Sequence, residues 1–465
     1  MGVINFVGDT WTMRVEDGDP RREVLRIADA MGRLARDTRP GSKLYVTFDV
    51  RPLSIELAHE AAQVAAASGI TVLLTEAHCP EPALCEAVRR DPKAFGALML
   101  TAGMRSVDYV GVRVRMADGS SAGPADIDVL ESYIWPDVPA ARGPVEMTDL
   151  VTPHLERLAS RLDGPAIAQV SPLVVYDPMY GATTSHGARL LASLGVRVRE
   201  LHDDGDPEFG GLHPEAVEPW IDDCEQAVVD EGAVMGIATG AVGGRLSLVD
   251  EKGRLVSPHV TLAMLMEHLV RNRGERGRMV APIYVSTIVR RQAERLGLPL
   301  TVTAPGYVWM REEMATNDVV CAGDAMGGIG LPEFGLERDA LAAAALLVEY
   351  VVREGKPVSE LAGRLFEELG PMYYGRRDVR LGAGAVQVLR VALPGLRPQE
   401  IGGRVPSEVG HPADALSCRF EDGSWLLVRP SRTQPVARVT AEAPCPAARD
   451  ALLDAGAALA LSPLG

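Results

Sequence analysis

The stretch Gly236-Ile-Ala-Thr-Gly-Ala-Val-Gly-Gly-Arg245, followed by Leu246-Ser-Leu-Val-Asp250, reads as strand, glycine-rich loop, strand. Ala233 to Ala238 and Leu246 to Val249 are short apolar runs of the length expected for buried strands. Between them Gly240, Gly243 and Gly244 allow positive φ or a close backbone approach. A nucleotide-phosphate loop is excluded, because its glycines would open a helix, and a Walker loop would also need Gly-Lys-Ser/Thr. Here a second strand follows and ends in the turn Asp250-Glu-Lys-Gly253. The loop carries one ionisable side chain, Arg245, which suits an anion and not a metal ion.

Outward from this loop, 465 residues predict two to four domains. A hydrophobic share of 47% is ordinary for a globular chain. No apolar run approaches the ~18–20 residues that a membrane span needs. Met1 to Asp9 lacks the basic and apolar regions of a signal peptide, so a cytoplasmic location is expected. The net charge of −16 argues against nucleic acid and membranes as partners. It leaves room for a phosphorylated small molecule, since a local arginine cluster can override the global field. The cysteines at 79, 85, 224, 321, 418 and 445 form no Cys-x-x-Cys pair and signal neither a zinc site nor a disulfide framework. Lysine occurs at 43, 93, 252 and 356, and arginine supplies the remaining basic residues. Arginine does not release its proton in proteins, so a lysine-type acid/base role is hard to fill.

Strand Lys43 to Asp49, helix Ile55 to Ser68 and strand Ile70 to Thr75 form a β-α-β order, which implies a parallel sheet. The alternation continues through helices at 21–36, 84–90, 151–162, 185–194 and 215–230 and strands at 95–100, 170–176 and 197–201. A third α/β unit is expected after Val260, with helices at 261–272 and 288–296 and strands at 280–285 and 300–303. A last domain begins near Tyr373.

Several motifs stand in this frame. They are Asp49-Val-Arg51-Pro-Leu-Ser54, Cys79-Pro-Glu-Pro-Ala-Leu84, Asp177-Pro-Met-Tyr-Gly-Ala182, Ala322-Gly-Asp-Ala-Met-Gly-Gly328, the run from Arg338-Asp339 to Ala345, and Arg429-Pro-Ser-Arg-Thr-Gln-Pro-Val-Ala-Arg438. In order and spacing the chain resembles the α-D-phosphohexomutases, the phosphoglucomutase/phosphomannomutase superfamily. The resemblance implies an α/β fold of four domains around a central cleft: three related α/β domains, 1–140, 141–258 and 259–372, and a smaller C-terminal α+β domain, 373–465. That family moves a phosphoryl group between the C1 and C6 hydroxyls of a hexose through a phosphoserine, with magnesium held by three aspartates.

The resemblance also assigns positions. The phosphoserine loop, Thr-Ala-Ser-His-Asn-Pro in the family, is Thr101-Ala-Gly-Met-Arg-Ser106, so the serine position is Gly103 and the histidine position Met104. Ser106 comes three residues late, and whether Ser106 or Thr101 takes a phosphoryl group is left open. The family's metal loop, Asp-Gly-Asp-x-Asp-Arg, places its aspartates on Gly240, Val242 and Gly244 and keeps only Arg245. No cofactor is therefore expected, magnesium included. Arg113 replaces the family's active-site lysine. In the sugar-selecting loop Asp324 shortens a glutamate, Met326 replaces a serine and Gly328 a histidine. The substrate phosphate is expected on Arg429, Ser431, Thr433 and Arg438, two arginines and two hydroxyls suited to a dianion. Arg14, Arg51, Arg105 and Arg245 are further candidate anion contacts, and Arg113, Tyr307 and Asp324 candidate polar groups for catalysis.

Three functions are compatible with this set. The first is a phosphosugar-binding protein that has lost mutase activity and senses or scaffolds, with a protein partner or as a homodimer. The second is an enzyme repurposed for metal-free chemistry on a phosphorylated ligand. The third is an active mutase with a substitute nucleophile.

Overall fold

The computed structural model describes residues 4–382, 384–431 and 434–464. The first sheet contains β1 (Thr10–Arg14), β2 (Lys43–Phe48), β3 (Thr71–Thr75), β4 (Ala94–Leu100), β5 (Tyr109–Met116) and β6 (Glu146–Thr148), in the order β1-β5-β4-β2-β3-β6. Strands β4, β2, β3 and β6 run parallel, as the β-α-β order predicts, while β5 alone is reversed, pairing antiparallel with both β4 and β1. Burial of Leu44, Val46 and Phe48 seats β2 against the helices Pro20–Thr38 and Ser54–Ala66. These helices pack against each other at Gly32, where any Cβ would collide with the Ala65 carbonyl.

The second sheet contains β7 (Leu173–Asp177), β8 (Arg197–Glu200), β9 (Met235–Thr239), β10 (Leu246–Asp250) and β11 (Leu255–Val256), ordered β11-β10-β9-β7-β8. β9 and β10 are the two apolar runs around the glycine loop, fully buried and antiparallel, with Leu246 opposite Thr239. Two expectations need correction here. The strand expected from Val170 begins at Leu173, because Val170 closes a short helix, Gly164–Val170, whose N-cap is Asp163. The helix expected over 215–230 forms only as Asp222–Glu231, since Pro219 lacks the N–H that a helix interior needs.

Strands β12 (Arg278–Pro282) and β13 (Leu300–Thr303) are parallel and joined by the helix Thr287–Leu296. β14 (Val319–Gly323) pairs antiparallel with β15 (Ile329–Gly330). The C-terminal sheet is antiparallel throughout. It contains β16 (Tyr373–Arg380), β17 (Glu408–Gly410), β18 (Leu416–Arg419), β19 (Trp425–Pro430) and β20 (Val436–Ala443), in the order β16-β20-β19-β18-β17. The helix Pro446–Leu461 covers one face, burying Leu452 and Leu453 with Leu426, Val439 and Ala441.

The chain divides into two compact units, residues 1–277 with 311–362, and residues 278–310 with 363–465. Among the described residues no helix is long and apolar enough to cross a membrane. Among the described residues no two cysteines form a disulfide, and all six but Cys445 are buried.

Candidate active site

In the first unit, the loop after β4 is shaped by the motif Asp49-Val-Arg51-Pro-Leu-Ser54. Arg51 is 2% exposed, and its guanidinium donates to the carbonyls of Gly103 at 2.7 Å and of Arg105 and Ser106 at 2.8 Å. Its Nε donates to Asp49 Oδ2 at 3.0 Å. Asp49 also accepts from the hydroxyls of Ser54 at 2.7 Å and Thr101 at 2.6 Å. Arg51 is thus a structural peg around which the loop is wound. The expectation of an anion contact there is corrected, because burial forces each of these charges to find an internal partner. Thr101 is likewise buried, its hydroxyl held between Asp49 and the Gly103 N–H.

Gly103 has φ +60°, and a Cβ added there would fall on Nη2 of Arg113. Nη1 of Arg113 donates to both oxygens of buried Glu81, at 2.8 and 2.7 Å. Glu81 also pairs with buried Arg115, which in turn pairs with Asp9. Burial works against the Glu81 charge, yet Arg113, Arg115 and Arg338 outweigh it and hold the carboxyl well below the usual range. A guanidinium therefore fills the space that any side chain at residue 103 would take.

Ser106 is exposed, and its Oγ donates to Asp108 Oδ1. That bond, with the Nε of Arg14 2.7 Å from Asp108 Oδ2, keeps the Asp108 carboxyl below its ordinary value and ionised. Arg14 also pairs with Glu16 at 2.6 Å. Arg105 lies over the Tyr109 ring, 4.8 Å from its centroid.

The glycine loop after β9 lies against this region. Arg245 Nη1 touches Met104 Sδ and lies 3.7 Å from Glu215. The loop's carbonyls are engaged internally: Gly240 accepts from the Gly243 N–H at 2.9 Å, Ala241 from Ala182 at 2.8 Å and Val242 from Glu81 at 2.9 Å. A hard divalent cation takes a full shell of oxygen ligands. Gly240, Val242 and Gly244 carry no side-chain oxygen, so these residues do not fit the family's magnesium ion. Asp324 Oδ1 accepts from the N–H groups of Met326 at 2.8 Å and Gly328 at 3.0 Å, which turns that carboxylate into its own loop. Tyr307, in the second unit, opens the helix Tyr307–Met314.

Also in the second unit, Arg429 on β19 stands directly opposite Arg438 on β20. Arg429 sits over the Tyr284 ring, 5.1 Å from its centroid. Buried Ser431 accepts from the Gln434 N–H through Oγ at 3.2 Å, and Thr433 lies outside the described residues. Burial is the main cause that lowers both arginines, with Arg376 adding like charge to each; Arg438 is brought down to about 10. Arg376, Asp378 and Tyr284 escaped the sequence reading. The only signal was Arg-x-Asp alternation within 376–378, and it acquires meaning once β16 is registered on β20.

This architecture and these loops define a class of protein. Phosphoglucomutase/phosphomannomutase family models match the chain in succession: α/β/α domain I over residues 11–137, domain II over 152–253, domain III over 257–369 and the C-terminal domain over 385–460. The chain belongs to the phosphoglucomutase/phosphomannomutase family, a family of carbohydrate metabolism. It is 27% identical over 355 residues to a phosphoglucomutase/phosphomannomutase of Thermococcus kodakarensis, covering 75% of each chain. It is 28% identical over 438 residues to a phosphoglucosamine mutase of Frankia alni, covering 90% of this chain and 88% of that one. A solved structure from Thermus thermophilus, provisionally named a phosphomannomutase, superposes with a TM-score of 0.87 at 27% identity over 98% of this chain and 99% of that one.

These relatives overturn the expectation of a protein that has lost mutase activity. They are named as mutases across most of the chain, and nothing in the comparison marks a loss of activity. The expectation rested on the absence of a hydroxyl at residue 103 and of carboxylates at 240, 242 and 244; an exposed hydroxyl, Ser106, stands three residues beyond 103 in the same loop.

Proposed function

We propose that this chain is a sugar-phosphate mutase that binds its substrate phosphate through Arg429, Ser431 and Arg438 and uses Ser106 as the phosphoryl acceptor. The observation that carries this reading is the exposed Ser106 hydroxyl hydrogen-bonded to the ionised Asp108. A hydroxyl is a weak nucleophile until an adjacent base takes its proton, and a carboxylate in hydrogen-bond contact suits that task. In the forward half-reaction the Ser106 Oγ–P bond forms as one P–O ester bond of a sugar bisphosphate breaks. Asp108 receives the hydroxyl proton, and solvent water supplies the proton taken up by the departing sugar oxygen. In the return half-reaction the Ser106 Oγ–P bond breaks as the phosphoryl group passes to the free hydroxyl of a sugar 1-phosphate, which gives up its proton to solvent, while Asp108 returns its proton to Ser106 Oγ and the bisphosphate is restored. The substrate class follows from the names of the relatives, which are mutases of glucose, mannose and glucosamine phosphates.

The test is a phosphorus NMR assay with glucose 1-phosphate, mannose 1-phosphate or glucosamine 1-phosphate, primed with the matching bisphosphate. Intact-mass and peptide analysis of the protein accompany it. Conversion to the 6-phosphate and a phosphorylated peptide containing Ser106 are expected, both lost in Ser106→Ala. Conversion that survives Ser106→Ala moves the acceptor elsewhere, and no conversion of any sugar phosphate rejects the mutase reading.

A further inference from the structure

A row of charged residues crosses three strands of the C-terminal sheet. Asp378 on β16 is registered on Arg438 of β20, and Arg438 on Arg429 of β19. Directly paired residues share a face, and so does Arg376, two residues before Asp378. Like charges directly opposite on adjacent strands destabilise a sheet. Here the Arg429–Arg438 pair is reinforced by a third guanidinium, an arrangement that calls for an anion.

The third guanidinium is held in place. Nε and Nη2 of Arg376 fork onto Asp378 Oδ1 at 2.9 Å and Oδ2 at 2.7 Å. Asp378 Oδ2 also lies 3.7 Å from Arg438 Nε. Among the described residues, the buried Nε atoms of Arg429 and Arg438 have no hydrogen-bond partner. Three guanidinium groups and one carboxylate leave a net charge of about +2, the counterpart of a fully ionised phosphate monoester. Tyr374 shares the face of the row, and burial pushes its phenol up so that it is neutral near pH 7, while the Tyr284 ring lies under Arg429. Glu442, two positions beyond Thr440, is engaged by Trp425 and Thr287, and Arg380 lies opposite Val436 at the far end of β16.

We propose that Arg376 is a third phosphate-binding residue, that Asp378 positions it, and that the row selects a phosphate dianion over a singly charged ester. This rests on the reading that Arg429 and Arg438 hold the substrate phosphate. The second phosphate ionisation lies near pH 6. Burial opposes the Asp378 charge, but Arg376 and Arg438 keep its carboxyl below the ordinary range. A loss of affinity between pH 7 and pH 5.5 therefore reports protonation of the ligand.

The experiment is calorimetric titration of the full-length protein with glucose 6-phosphate and with glucose 6-sulfate, its singly charged isostere. Wild type is expected to bind the phosphate at least about tenfold more tightly than the sulfate, with affinity falling as pH drops from 7 to 5.5. Arg376→Met is expected to weaken phosphate binding by about tenfold without lowering the melting temperature, and Arg376→Lys to recover part of it. Asp378→Asn is expected to narrow the phosphate-to-sulfate ratio. If Arg376→Met and Asp378→Asn leave affinity and ratio unchanged while Arg429→Met abolishes binding, this proposal fails and the two-arginine site stands. If Arg429→Met also leaves binding unchanged, or wild type binds neither ligand, both readings fail.

Discussion

Nη2 of Arg113 occupies the space that a Cβ on Gly103 would fill. The pairing of Arg113 with both oxygens of Glu81 fixes it there. The glycine at 103 and the arginine at 113 are therefore sterically coupled. Gly103→Ser is expected to destabilise the protein by about 1–3 kcal/mol, from the positive φ and the displaced guanidinium. Combined with Arg113→Ala, the cost should be less than the sum of the two single substitutions. Denaturant unfolding of the four-member cycle checks this, and strict additivity would contradict the contact.

Arg51 holds three carbonyls of the Ser106 loop from within. Lysine keeps the charge but not the planar fork. Arg51→Lys is expected to cost about 2–4 kcal/mol. It should also speed amide exchange across residues 101–106, as measured by hydrogen exchange and mass spectrometry. Unchanged exchange in that loop would show that the peg does not shape it.

His154, on the helix Val151–Ser160, is buried between Glu86 at 2.6 Å and Asp339 at 3.2 Å. Burial opposes its charge, but Asp339 and Glu86 prevail and raise it to about 9. Because the folded value lies above the ordinary value near 6.5, the stabilisation is fully present below pH 6.5 and is lost as pH rises through about 9. Stability is expected to fall by about 3 kcal/mol across that window. His154→Gln should flatten the melting temperature over the same range. A wild-type melting temperature already flat from pH 6.5 to 9.5 would argue against a protonated His154.

Gly240, Val242 and Gly244 offer no side-chain oxygen, and their loop's carbonyls are engaged by backbone N–H groups. Chelation with EDTA is expected to leave glucose 6-phosphate affinity unchanged in calorimetry, with or without added magnesium. An affinity that collapses on chelation and returns with magnesium would place an ion in this protein after all.

The strand–loop–strand around Gly236 to Asp250 was legible because its periods are local: two apolar runs, a glycine cluster and a terminal turn. The β-α-β order of residues 43–75 was legible for the same reason. Val170 and the segment around Pro219 were misread because an apolar run of four to six residues fits either a strand or a helix, and one proline outweighs an otherwise helical pattern.

By itself the sequence determined the family, through motifs in order along one chain, and the number and order of domains come with the family. The tertiary structure alone decided what each charge does. Arg51 proved to be a peg inside a loop, Arg113 the group that fills the space beside Gly103, and Arg376 a neighbour of Arg429 and Arg438. The physical reason is that a guanidinium's partners are set by burial and by strand register. A shift of one residue in the pairing of β16 on β20 would turn Arg376 and Asp378 to the opposite face of the sheet.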